Sequence, residues 1–210
     1  MRGWGAAVAV VVLGAGAAGC GVTAGDSRLS ADAATICAHG TYRWSGVRQW
    51  QELTALADPV TFPKGTEHTE HYESALKPVD DDTVYRVVVS RTPKGVGAAR
   101  VIKALGDRLK EDNPLAGPSE VMRPEEAQYF TDTGDLEGAY YAWGSISLVE
   151  ADFTYTCGST APVRGQVRTW ETVGVGFLPC SEPLYDVAAD AAHAAALRLC
   201  PAGSPAAEPV

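Results

Sequence analysis

This chain is poor in the residues from which most catalytic and metal sites are built. It has four histidines and two methionines in 210 residues. None of its five cysteines stands in a CxxC pair, which excludes a zinc knuckle and a thioredoxin-type site. No GxSxG elbow and no HExxH pair occurs, so the common contiguous hydrolase and metalloprotease signatures are missing. The Ala/Val/Leu/Gly run Gly5 to Gly16 falls short of the roughly 18 residues a membrane span needs and is Gly-rich. Positive charge is scarce: 17 Lys and Arg stand against 26 Asp and Glu, a net of −9. That balance argues against nucleic acid as a partner and against a polybasic grip on anionic lipid.

What is present starts with an address. Arg2, the short apolar run, and Ala17-Ala18-Gly19 leading into Cys20 have the order of a secretory signal peptide. Small residues directly before a cysteine predict a lipobox, with residues 1–19 removed and Cys20 acylated as the new N-terminus. Removing them takes away one basic and no acidic residue, leaving a net of about −10. Gly21 to Ser30 is rich in Gly, Ala, Thr and Ser with little to bury, so residues 20–34 read as the lipidated cysteine and a tether. Residues 35–200 form the expected single extracytoplasmic domain, long enough to bury its own core. Residues 201–210 are Pro-, Ala- and Gly-rich and read as a loose tail.

With Cys20 set aside, Cys37, Cys157, Cys180 and Cys200 remain, an even number in an exported chain and therefore two disulfides. A turn near Thr172-Val173 would return Cys180 to the end of the Cys157 strand. The expected pairs are then Cys157–Cys180 and Cys37–Cys200.

Periodicity gives a coarse fold. Thr83 to Arg91 is β-branched and aromatic, a strand ending at Thr92-Pro93. Ala98, Val101, Ile102, Leu105 and Leu109 recur at helical steps, and Asn113-Pro114 stops that helix. Tyr140 to Cys157 supplies two strands, or one bent near residues 150–152. Gly165 to Trp170 and Val173 to Leu178 read as separate strands. Asp186 to Leu199 is Ala- and Leu-rich and helical. Thr41 to Phe62 fits either period and is assigned to strand with a turn at Asp58-Pro59. The expected class is α+β, a largely antiparallel sheet with one central and one C-terminal helix.

With these pieces placed, the chain resembles a group of actinobacterial lipobox-containing lipoproteins of unknown function. The resemblance rests on the lipobox, on Ile36-Cys37-Ala38-His39-Gly40-Thr41-Tyr42-Arg43-Trp44, and on Asp152-Phe153-Thr154-Tyr155-Thr156-Cys157-Gly158. It continues through Gly165-Gln166-Val167-Arg168-Thr169-Trp170 and Cys180 to a last helix ending at Cys200. It implies a surface-exposed, disulfide-bonded envelope protein and carries no catalytic residue.

Several constellations invite chemistry. His68 and His71, interleaved with Glu67, Glu70 and Glu73, could begin a zinc or copper set, but no third histidine has a fixed relation to them. A solvated loop explains the stretch better. Asp80-Asp81-Asp82 lacks the spacing of a calcium loop and reads as a charged turn. Lys94-Gly95-Val96-Gly97 sits where a dinucleotide fingerprint would, but Arg100 replaces the third glycine, so a tight strand-to-helix turn is expected. His39 and His193 stand in no recognisable catalytic setting. Trp44, Trp50, Trp143 and Trp170 with Tyr42, Tyr140, Tyr141 and Tyr155 are assigned first to the core, with a partly exposed subset available to line a groove.

The expectation is a lipid-anchored envelope module on the extracytoplasmic face, binding an unidentified envelope ligand or protein. No cofactor, nucleic acid or catalytic residue is expected. An envelope-acting hydrolase with a non-contiguous site is the first alternative. Metal binding through His68 and His71 is the second.

Overall fold

The computed structural model describes residues 39–64, 71–132, 136–185 and 190–208. The leader, Cys20, the tether, Cys37 and His68 lie outside them. Residues 36–210 form one compact unit. The chain runs β1 (Thr41–Leu56), β2 (Val60–Phe62), β3 (His71–Pro78), β4 (Tyr85–Arg86), β5 (Val88–Val89) and α1 (Ala98–Leu109). It continues with β6 (Val121–Met122), β7 (Ala127–Asp132), β8 (Gly138–Thr156), β9 (Val163–Pro179), α2 (Asp190–Leu199) and a 3₁₀ turn at Pro205–Ala207. The main sheet has the order β5-β9-β8-β1-β3-β7, with β2 also on β8, and β4 and β6 form a separate ribbon. Each pairing is antiparallel, so the class is α+β.

β8 is the spine, and its alternation decides which face is core. Val149, Ala151, Phe153 and Tyr155 point to one face, where Val101, Ile102 and Leu105 of α1 cover them. Glu150, Asp152, Thr154 and Thr156 point to the other. Further along, Tyr141 and Trp143 pack on Ala191, Ala192, Ala195 and Ala196 of α2. Those small side chains let the helix lie close to the two stacked rings, whose centroids are 5.2 Å apart. Asp190 in the first turn and Arg198 in the last suit the helix dipole.

Tyr140 to Cys157 lies in one long strand, β8, as the single-strand alternative expects. The stretch from Gly165 to Leu178 differs: the two expected strands are one, β9, because the apparent break at Glu171-Thr172 is a bulge. Between Ile146 and Leu148 of β8, Glu171 and Thr172 of β9 stand against the single residue Ser147. An extra residue bends and twists a strand without ending it. Conversely, the Thr83 to Arg91 strand is only two short pieces, β4 and β5.

That continuity overturns the expected disulfides. β9 runs straight from Val163 beside Tyr155 to Pro179 beside Tyr140. Cys157 and Cys180 therefore sit at opposite ends of a ladder about 50 Å long at ~3.3 Å per residue. Cys180 bonds Cys200 instead, with the Cα atoms 5.6 Å apart, because α2 folds back over the end of β9. Both pairings, Cys157–Cys180 and Cys37–Cys200, are corrected by this bond. It is the one bridge with both ends among the described residues. Cys157 is also disulfide-bonded, and its partner lies outside them. The stretch from Pro201, expected to be loose, is packed: Ala206 is buried against α2 and its N–H donates to the Cys180 carbonyl.

Candidate functional site

The outward face of β1, β8 and β9 is where the sheet does something the core does not require. A bulge in β1 sets its pattern. Gly46, at φ +59°, and Val47 stand against Ala151 alone, between the pairs Ser45–Asp152 and Arg48–Glu150. The extra residue turns Arg48 and Trp50 to the same side as Arg43 and Ser45. Register then places Arg43, Thr154 and Arg164 in one row and Ser45, Asp152 and Gln166 in the next. The following rows are Arg48, Glu150 and Arg168, then Trp50, Leu148 and Trp170.

Four arginines thus share one open face with two carboxylates. The rows of Arg164 and Arg168 are about 13 Å apart along the strand, and β1 and β9 are about 10 Å apart across the sheet. Arg48 Nη2 donates to Glu150 Oε1 at 2.7 Å, and Gln166 Nε2 donates to the same oxygen at 3.1 Å. Arg43, Arg164 and Arg168 are exposed and make no ion pair among the described residues. The Arg48 and Arg168 guanidinium carbons lie 5.7 and 5.8 Å from the centre of the half-buried Trp50 ring, inside cation–π range.

Past Trp50 the β4–β6 ribbon covers the face and leaves a cleft of about 310 Å³ lined by Glu52, Tyr85, Arg86, Leu148, Arg168 and Trp170. The Tyr85 hydroxyl donates to Glu52 Oε1 at 2.8 Å. Burial, and then the Glu52 carboxylate, hold the Tyr85 phenol far above its ordinary pKa, so it stays a donor.

A second polar group lies on the α1 side. Gln49 Nε2 donates to Glu111 Oε1 at 2.8 Å, and Glu111 is hydrogen-bonded to Glu171. Burial raises the Glu171 pKa, and the Glu111 carboxylate beside it raises it further. Glu171 borders a pocket of about 230 Å³ with Gln51 and Ser147. Two carboxyls in mutual contact are closer than the roughly 5 Å of a retaining glycosidase pair or the wider inverting separation.

The residues singled out in the sequence are scattered. His71 lies in β3 opposite Asp132, at the far side of the sheet from the arginine face, and His68 is outside the described residues. Among the described residues no group of three metal-ligating side chains is assembled. His39 is exposed, and His193 Nε2 faces the Ala207 carbonyl at 3.4 Å. Asp80 closes a turn through the Asp82 N–H and the Thr83 hydroxyl, at 2.9 and 2.7 Å. Gly95, at φ +79°, and Gly97, which precedes α1, make the expected strand-to-helix turn. Of the aromatics, Tyr141, Trp143, Tyr155 and Trp170 are buried, while Trp44 and Trp50 are half-buried.

The arginine cluster went unnoticed in the sequence although a signal exists. Arg164, Gln166, Arg168 and Trp170 alternate with apolar or small residues, as a half-exposed strand should. No helix among the described residues is long and apolar enough to cross a membrane. Comparison with known families, with curated proteins and with solved structures finds no match.

Proposed function

We propose that this chain is a lipid-anchored envelope module, without catalysis of its own, that binds an extended anionic polymer across the open face of β1, β8 and β9. One observation carries the reading. A chain of net −9 gathers Arg43, Arg48, Arg164 and Arg168 on one exposed face, three of them without a carboxylate partner among the described residues. Beyond the Arg48–Glu150 bridge and the Trp50 contacts, folding gains little from that clustering, since neighbouring like charges repel. Guanidinium groups present planar forks that match carboxylate and phosphate oxygens two at a time. A flat face with charges at two-row spacing suits a chain laid across it better than a small molecule held in a pocket. In the cleft at its end the Tyr85 proton is taken by Glu52, so the second Glu52 oxygen and the Tyr85 oxygen are left as acceptors for hydroxyl groups of one terminal unit.

The lipid anchor rests on the lipobox order ending at Cys20 and on the resemblance to lipobox lipoproteins. The 20–34 tether, at about 5–6 Å × √n, would hold the domain about 20 Å from the membrane, within reach of polymers near it. The test is titration of the purified full chain with polygalacturonate, inorganic polyphosphate and neutral dextran, followed by tryptophan fluorescence. Saturable quenching with an acidic polymer and none with dextran is expected. Equal response to dextran, or no response to either polyanion, would remove this reading.

A further inference from the structure

We propose that two copies of this chain pair edge to edge along β9, antiparallel, about a two-fold axis at Gly174. β9 is almost the outermost strand of its sheet, since β5 covers only Val167 and Arg168. The Trp170 carbonyl accepts from the Ala116 N–H at 2.9 Å. From Thr172 to Val175 no strand among the described residues lies on the outer side.

The bulge at Glu171-Thr172 decides which peptide groups face outward. Before it, Gln166 and Trp170 turn theirs to the outer side, accepting from Ser90 and Ala116. After it, Cys180 turns its N–H inward to the Ala139 carbonyl at 2.8 Å. Counting back by twos, Val173 and Val175 present their N–H and C=O outward, and among the described residues only the Thr172 hydroxyl, 3.3 Å from the Val173 carbonyl, engages them. Their side chains are 50% and 57% exposed, although valines with open backbone on an edge invite strand pairing. Neither Lys nor Pro protects the segment Thr172 to Val175.

The segment is complementary to itself. A two-fold axis at Gly174 sets Val173 opposite Val175 of the second copy as a hydrogen-bonded pair, so four valines close into one apolar cluster. Gly174 then faces Gly174 of the second copy as a non-hydrogen-bonded pair, with Cα atoms about 4.5 Å apart. Thr172 to Leu178 carries no charge, so in a chain of net −9 it is a place where two copies can approach without facing carboxylates. A pairing this short buries less than the roughly 1,200 Å² of a stable interface. It is therefore weak in dilute solution and favoured where copies share one membrane, a clause that rests on the Cys20 anchor.

The test is disulfide trapping of full-length Gly174→Cys in membranes, under mild oxidation. Nothing lies within 4 Å of a Cβ built at Gly174, so the substitution fits the monomer. A covalent dimer is expected, because the predicted Cα separation lies in the disulfide range of about 4.4–6.8 Å. Ser159→Cys, in an exposed turn beyond β8, should give none. Adding Val175→Pro removes an outward N–H that β8 does not use and should cut the cross-link at least tenfold. Sedimentation of the wild-type chain in detergent should show a dimer fraction rising with concentration. No dimer from Gly174→Cys, equal dimer from Ser159→Cys, or a cross-link indifferent to Val175→Pro would each overturn the proposal. A monomer whose β9 edge pairs only with another protein's strand would overturn it as well.

Discussion

Single side chains carry the plainest consequences of this fold. The Tyr141 hydroxyl is fully buried without a hydrogen-bond partner among the described residues, and burial pushes its pKa up to about 12. An orphaned buried hydroxyl costs about 1–3 kcal/mol of desolvation, which phenylalanine does not incur. Tyr141→Phe should therefore raise stability by about 1 kcal/mol in denaturant unfolding. A loss of similar size would show that the hydroxyl has a partner, such as a buried water. Glu171 gives a pH dependence with a definite sign. Its carboxyl titrates above its ordinary value in the folded state, so the folded chain holds that proton more tightly than the unfolded chain. Stability from this group is complete below the ordinary carboxylate pKa and is lost as pH rises through the raised one. Glu171→Gln should flatten that decline. An unchanged pH profile in thermal unfolding would mean that Glu111 and Glu171 do not share a proton.

At the scale of elements, periodicity was readable and continuity was not. The α1 pattern Val101, Ile102 and Leu105 is buried as its spacing requires, and the strand assignment for Thr41 to Phe62 with a turn at Asp58-Pro59 matches β1 and β2. Bulges defeated the rest. Gly46-Val47 and Glu171-Thr172 each shift a strand by one residue, so the alternation that identifies a face reverses partway along it. For that reason Arg43 and Arg48, five residues apart, share a side that simple alternation denies them. The same reversal made Glu171-Thr172 look like a strand end and led to the wrong cysteine pairs. Register now points to the partner of Cys157. Thr41 pairs with Thr156 and the Gly40 N–H donates to the Tyr155 hydroxyl, so the first described residues lie beside the end of β8, and Cys37 is the cysteine just upstream in sequence. Non-reducing peptide mapping should join Cys157 to Cys37 and Cys180 to Cys200. A Cys20–Cys157 peptide would contradict both this pairing and acylation of Cys20.

For the whole molecule, the average charge concealed its distribution. A net of −9 argues against anionic partners only if the charge is spread evenly, and here register gathers four arginines from two strands on one face. No short motif announces that face, because its members lie more than a hundred residues apart and meet only through the β1–β8–β9 ladder. Its arginines are exposed, so replacing them should cost the fold no more than about 2 kcal/mol, from the Arg48–Glu150 bridge and the two Trp50 contacts. The direct test of the binding account is the affinity of the full chain for polygalacturonate at several salt concentrations. Wild type should be compared with the quadruple variant Arg43→Gln, Arg48→Gln, Arg164→Gln and Arg168→Gln, after matching their unfolding midpoints. Wild-type affinity should fall steadily as salt screens the arginines, and the folded variant should bind at least tenfold more weakly with a shallower salt dependence. Equal affinity and equal salt dependence in the two proteins would contradict the account.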